Sequence, residues 1–357
     1  MSECGLDGAK SVATPGVRLS SSEALAEKPL ETKLHTPFRG AAARANYLAQ
    51  DRMDVQFAAK EICRSMATPT EQAWGGMKRL CRYLVGVPRL IYLFPWQRAD
   101  AIDVYVDTDW AGCPKSRKST SGGLTMLGKH AVKTWSSTQA SVSLSSGEAE
   151  FAGVVRGAGM GLGFQSLMAD LGCQLLVRVW CGSSAAIGIC SRQGLGKLRH
   201  LDTHTLWVQQ AVRSGKIDLR KIRGEQNPAD LFTKHLTSRE RLNALVHIAG
   251  GVYRSGRSDS APQTRSTKLG KATMAEAHAM ETTDGIEEPP VMPHLYCPDR
   301  MDAEHPPLSA PPDDDGDQER LMDQCDPVFQ HGMALARDIA ERTITHGRRR
   351  LEKGSSL

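Results

Sequence analysis

Aromatic residues make up only 5% of this 357-residue chain, against 40% hydrophobic. Such scarcity argues against one dense core over the whole length. No run approaches the roughly 18 apolar residues that cross a bilayer, and no charged segment followed by an apolar stretch stands at the start. Nine cysteines are scattered, with no Cys-x-x-Cys pair. That odd, unpaired set predicts neither a disulfide framework nor a structural zinc site, and it fits a reducing compartment. The expectation is an intracellular protein, cytoplasmic or nuclear, neither secreted nor membrane-spanning.

Charge is present but unevenly spread. The net +5 divides into 14 Lys+Arg against 9 Asp+Glu over 1–98, 18 against 12 over 99–242, and 13 against 19 over 243–357. Mild basicity in the first two blocks is compatible with a polyanion partner, but charge alone is explained more readily by ordinary solubility. From about Gly250 the chain turns to Glu287-Glu288-Pro289-Pro290, Pro306-Pro307, Pro311-Pro312 and Asp313-Asp314-Asp315. A segment so poor in large apolar groups cannot repay its ordering entropy, so 250–325 is expected to be disordered. Met333, Leu335, Ala336, Ile339 and Ile344 recur at helical spacing before Arg348-Arg349-Arg350. They predict a short amphipathic helix, solvated rather than partnered.

Between these ends the pattern is regular. Two helices are expected from Ala41 to Leu84, broken at Pro69-Thr70 with Thr70 as an N-cap. Ile102, Val104 and Val106 alternate with Asp103, Tyr105 and Asp107, a half-buried strand. Strands at Gly123–Leu127 and Ala131–Ser136 suit a hairpin at Gly128. A long helix from Ser145 to Ala169, a strand at Leu175–Cys181, helices at Ser184–Cys190 and Leu201–Arg213, and a strand at Ile217–Ile222 follow. Pro228, capped by Asn227, opens the last helix. That order predicts an α/β fold, a mixed five-stranded sheet with flanking helices, a helical segment before it and a disordered tail after it.

Asp107 ends the first strand and Asp109 follows on the same side. Glu148 and Glu150 lie in the first turns of the long helix, and Asp230 in the first turn of the last. Carboxylates converging from strand ends and helix starts are what a two-metal phosphodiester site requires, since hard oxygen ligands hold Mg²⁺. Each also has an ordinary reading: Asp109 as a turn cap, Glu150 and Asp230 as complements to a helix dipole. His200 and His204 stand four apart, but no glutamate follows His200, which favours a structural role. Gly159, Gly161 and Gly163 follow no strand and read as weak points of the long helix, about 1 kcal/mol each against alanine. Arg117, Lys118, Lys129 and Lys133 read equally as phosphate contacts beside the site and as a solvated hairpin face.

Several segments resemble one family. DTDWAGCPKSRKSTSGG at 107–123, SLSSGEAEF at 143–151, LRHLDTH at 198–204 and NPADLFTK at 227–234 are similar to the ribonuclease H domain of copia-type LTR retrotransposon Pol polyproteins. GAKSVATPGV at 8–17 and residues 43–86 resemble the C-terminal end of the same polyprotein's reverse transcriptase. The resemblance implies a reverse-transcriptase remnant over 1–98, a ribonuclease H-like domain over 99–242 and an acidic tail over 243–357. It implies two divalent ions, Mg²⁺ or Mn²⁺, held by four acids, and an RNA–DNA hybrid as substrate. Other Pol or Gag products are implied partners. Carried over by position, Asp107, Glu150 and Asp230 supply three catalytic, metal-holding acids.

The fourth acid is missing. The family pattern Cys-Asp-Asn reads Cys181-Gly182-Ser183 here, so Gly182 stands where a carboxylate is expected. The resemblance therefore implies crippled hydrolysis, or a non-catalytic nucleic-acid-binding module or relic. The paired aspartates of a polymerase site are absent from 1–98, so no polymerase activity is expected.

Overall fold

The computed structural model describes residues 6, 8–196, 200 and 203–256. The part of the expected disordered stretch beyond 256, and the terminal amphipathic helix, lie outside these residues. The upstream segment folds as α1 (Ser21–Leu25), α2 (His35–Leu48), α3 (Gln56–Cys63) and α4 (Glu71–Gly86). Thr70 is the expected N-cap of α4, accepting the Ala73 N–H at 3.2 Å. The first of the two expected helices is split into α2 and α3 by a 3-10 turn at Met53–Val55. Its cause is the buried Arg52–Asp54 pair, which closes on itself across the turn at 2.9 and 2.7 Å.

The chain continues through β1 (Arg89–Tyr92), β2 (Ala101–Asp109), β3 (Thr120–Leu127), β4 (His130–Thr138), α5 (Ser146–Asp170), β5 (Leu176–Cys181), α6 (Ser184–Ser191), α7 (Trp207–Arg213), β6 (Ile217–Lys221), α8 (Arg239–Ile248) and β7 (Gly251–Arg254). The main sheet has the order β4-β3-β2-β5-β6. The β2–β3 and β3–β4 pairs are antiparallel, while β2–β5 and β5–β6 are parallel. This is the mixed five-stranded sheet that the sequence predicts. A separate ribbon pairs β1 with β7, Arg89 opposite Arg254 and Tyr92 opposite Gly251.

Two apolar layers sandwich the sheet. Ile102, Val104 and Val106 of β2 pack with Phe151, Val154 and Ala158 of α5. Leu124 and Met126 of β3 pack on the other side with Phe38, Leu80, Phe232, Leu242 and Leu245. β2 is consequently not half-buried as its alternation suggests. Asp103 and Asp107 on its polar side are each only 9% exposed, Asp103 because Arg178 and Trp180 of β5 bind it and Asp107 because Thr233 and Lys234 close over it.

Two further expectations are corrected. The boundary at 242 falls inside α8, and residues 251–254 form β7 rather than the start of a disordered tail, since Leu242, Leu245 and Val246 complete the core shared with α2 and α4. The helix expected from Pro228 is a 3-10 turn over Pro228–Phe232, and the α-helix after it starts at Arg239 with Ser238 as its cap. The turn is held tight because both its ends are tied to β2. Asn227 Nδ2 donates to the Val106 carbonyl at 2.9 Å, and the Thr233 hydroxyl donates to Asp107.

The glycines of α5 also have a use. A Cβ on Gly157 would strike Val106, and one on Gly161 would come within 2.6 Å of Val177. These positions bring the helix down onto β2 and β5, whereas Gly159 and Gly163 face open space. The six described cysteines are free. Among the described residues, no helix is long and apolar enough to cross a membrane.

Candidate active site

Three local devices carry three acids toward one another. Asp107 stands near the end of β2, opposite Gly122 of β3. Glycine is needed there, because a Cβ would lie 2.6 Å from Phe232 and 2.8 Å from Thr233. The 3-10 turn settles into that gap, with the Ser136 hydroxyl of β4 donating to the Phe232 carbonyl at 2.6 Å. Asn227 caps the turn through the Ala229 N–H while anchoring it to β2, which places Asp230 beside Asp107. Ser145 caps α5 through the Glu148 N–H, and Glu150 follows two residues on.

One ammonium joins two of the acids. Lys234 Nζ lies 2.8 Å from Asp230 and 3.4 Å from Asp107. Asp230 also takes Arg241 at 3.2 Å. Glu150 has no such partner: its Oε2 is buried without a hydrogen bond. Burial first, then the negative charge of Asp107 and Asp230, pushes the Glu150 carboxyl up to about 8, against the pull of Lys234 and Lys221. Asp230 is likewise raised, by burial and by Asp107. Desolvation of Lys234 is outweighed by the two aspartates, so its ammonium is held more tightly than usual. Like charges gathered in low dielectric shift pKa in this way, and such shifts concentrate at functional sites.

The other candidates fall elsewhere. Glu148 accepts the Leu144 N–H and pairs with His200 at 2.9 Å, so both are used in shaping the start of α5. His204 lies in a separate 3-10 turn. Asp109 folds over Gly112 in the loop after β2, and burial raises its pKa. Lys129 is not beside the site. Leu127 pairs with Ile102, so the hairpin turn lies at the far end of β2 from Asp107, roughly 16 Å away at 3.3 Å per residue. Lys133 pairs in mid-strand with Thr125. Arg117 and Lys118, in the β2–β3 loop, lie at the Asp107 end.

At Gly182 the backbone leaves room: a Cβ there would meet nothing within 4 Å, and φ is not positive. The space is managed by a cation instead: Lys221 donates to the Gly182 carbonyl and, at 2.8 Å, to the Ser184 hydroxyl. Sequence reasoning missed both lysines. The Thr-Lys that closes NPADLFTK offered a signal for Lys234, whereas Lys221 ends a strand whose neighbour is set only by the sheet.

As a donor set, three carboxylates, one with an orphaned buried oxygen, fit a hard divalent cation. As the side chains lie, no group of three or more His, Cys, Asp or Glu among the described residues is gathered closely enough to hold a metal. Lys234 lies against two of the three acids.

No family model matches the chain. Over 211 residues, 58% of its length, it is 30% identical to the retrovirus-related Pol polyprotein from transposon RE2 of Arabidopsis thaliana. Over 252 residues, 69% of its length, it is 27% identical to the corresponding polyprotein from transposon TNT 1-94 of Nicotiana tabacum. The chain spans only 14% and 19% of these relatives. Among solved structures, a ribonuclease H domain of a Mycobacterium tuberculosis protein, fused to maltose-binding protein, is similar at 15% identity. The match covers 42% of this chain and 99% of that one, with a TM-score of 0.26.

Proposed function

We propose, from the similarity of the chain to retrovirus-related Pol polyproteins of copia-type transposons, that residues 99–242 carry a weakened ribonuclease H activity, cleaving the RNA strand of an RNA–DNA hybrid. The observation that carries the reading is the buried, unpartnered Glu150 oxygen facing the charge of Asp107 and Asp230. A purely structural carboxylate would have found a partner.

Asp107, Glu150 and Asp230 would hold Mg²⁺ or Mn²⁺, and the ion, when bound, neutralises the oxygens of an in-line displacement. The chain's own groups do the rest. Below about pH 8 Glu150 keeps its proton, so cation binding has to release it. Lys234, with Arg241 on Asp230, offsets the charge of Asp107 and Asp230, and would give way to a bound cation. Gly182 supplies no carboxylate, which leaves one ion short of a ligand.

Lys234 and Lys221 favour a second reading, because together they neutralise the site without a metal, as suits a module that binds hybrids and does not cut them. A cleavage assay on the full chain with a labelled hybrid and Mn²⁺ separates the two. The catalytic reading expects slow cleavage, abolished by Asp107→Asn and increased at least tenfold by Gly182→Asp. Hybrid binding without cleavage in wild type and in Gly182→Asp alike would establish the module instead.

A further inference from the structure

A pocket of about 340 Å³ opens where α2 and α3 meet β4, and the carboxylate chemistry makes no use of it. Its polar lining is Asn46, Gln50, Gln56, Lys60, Arg64 and Ser136. Three side-chain amides and two cations in one concavity are unusual beside an apolar helical layer. Gln56 is only 8% exposed, yet its Oε1 has no hydrogen-bond partner. Its terminal torsion is soft, so the amide can turn either end toward an occupant. A buried amide left incomplete in this way costs stability unless something else completes it.

The cations are already fixed. Lys60 Nζ donates to Glu61 at 2.6 Å and to the Thr120 hydroxyl at 2.8 Å, which leaves one of three ammonium hydrogens. Arg64 lies against Glu61 at 3.1 Å and against the Cys113 sulfur at 2.8 Å. Two cations and one carboxylate leave a net charge of at most +1, since the Cys113 thiol, held down to about 7 against its burial by Arg64 and Ser116, takes up part of it; the pocket favours an anion. It is also joined to the carboxylate site. Ser136 carries the Phe232 carbonyl of the turn that holds Asp230, and Thr120 stands opposite Asp109, two residues beyond Asp107.

We propose that this pocket is a strand-binding subsite that takes one phosphodiester unit of a nucleic acid, with Lys60 and Arg64 on the phosphate and Gln56 on the adjoining sugar. It rests on the reading of the chain as acting on nucleic acid. It places the substrate's grip partly in the upstream helices, which would otherwise be only a remnant. Phosphate contacts position a strand without reading its sequence, which is what a site that cuts anywhere along a hybrid requires.

Fluorescence anisotropy of the full chain in EDTA tests it, with labelled 18-nucleotide RNA, DNA of the same sequence, and the hybrid as probes. Lys60→Met should weaken strand binding about tenfold and reduce the salt slope by about one counterion. Gln56→Leu should weaken it about fivefold, with an unchanged salt slope and a melting temperature no lower than wild type. A loss confined to RNA assigns the contact to the ribose hydroxyl, and an equal loss for DNA assigns it to the phosphate alone; either supports the subsite. If Lys60→Met fails to fold, Gln56→Leu carries the test. Wild-type affinity in both variants overturns the subsite and leaves the proposed function standing. Failure of the wild-type chain to bind any of the three probes overturns both.

Discussion

Asp54 and the Asp107–Glu150–Asp230 group are both withdrawn from water, and their surroundings are opposite. The Asp54 side chain, 0% exposed, receives Arg52 through two nitrogens at 2.9 and 2.7 Å. Two phenols, Tyr83 at 2.7 Å and Tyr253 at 3.3 Å, also donate to it. Burial and the nearby carboxylate drive both phenol pKa values far up, so the tyrosines stay protonated donors. Every acceptor is met and the charge is cancelled. In the other cluster Asp107 and Asp230 share the ammonium of Lys234, while Glu150 keeps a buried oxygen without a hydrogen bond. The first arrangement is complete and joins β7 to the upstream helices. The second is held together by its scaffold against its own repulsion, and it gains from an added cation.

The largest expected effect separates the two clusters directly. Arg52→Ala leaves Asp54 charged and unpaired and should remove about 3–5 kcal/mol of stability in urea unfolding. Asp107→Asn relieves like-charge repulsion and should cost no more than about 1 kcal/mol. Equal losses would make the two clusters alike, and the distinction would collapse.

The next effect is one of pH. Glu150, pushed up to about 8 from an ordinary value of 4.5, keeps its proton in the folded state over a window in which the unfolded chain has lost it. Its contribution to stability is full below about pH 4.5 and is lost as pH rises through 8. Glu150→Gln should therefore match wild type near pH 5 and exceed it by on the order of 2 kcal/mol at pH 9. His235, pushed down to about 4 by burial, runs the other way between pH 4 and 6.5, and the comparison of wild type with variant cancels it. A constant offset across pH would show that Glu150 is not perturbed.

Lys234→Ala sharpens the contrast further. Its side chain is 44% exposed, so screening limits the loss to about 1 kcal/mol. Millimolar Mn²⁺ should restore the melting temperature of this variant, whereas Arg52→Ala should show no such rescue. The smallest effect belongs to Gly182→Asp. With open space and no positive φ, it should stay within about 0.5 kcal/mol of wild type in thermal melts, its carboxylate meeting Lys221. A large destabilisation would mean that the Lys221 contact with the Gly182 carbonyl holds the strand end.

Much of this was legible before the fold was known, and the reason is local. Thr70, Ser145 and Asn227 cap helical turns because a short polar side chain reaches its own backbone, which needs no distant partner. Gly128 turns the hairpin at φ +57 for the same kind of reason. Asp107, Glu150 and Asp230 were found through motifs, and the structure adds the electrostatics that no motif contains. What was missed depends on distant neighbours. The burial of Asp103 follows from Arg178 and Trp180 on the neighbouring strand β5, and the 3-10 turn at Pro228 follows from anchors on β2. The roles of Lys221 and Lys234 follow from which strands and turns lie side by side.

The β1–β7 ribbon has a consequence for how the chain assembles. Its two strands enclose the entire five-stranded sheet between them, so among the described strand pairs theirs closes the longest loop, and loop closure is an entropic cost met before contact energy is returned. During synthesis α2, α3 and α4 emerge before α8, with an apolar face whose covering residues, Leu242, Leu245 and Val246, are still within the ribosome. That face stays exposed until residue 254 is available. Helices α2 to α4 thus wait for α8 to complete their core, and a chain cut short before α8 presents a sticky helical surface rather than a smaller folded protein.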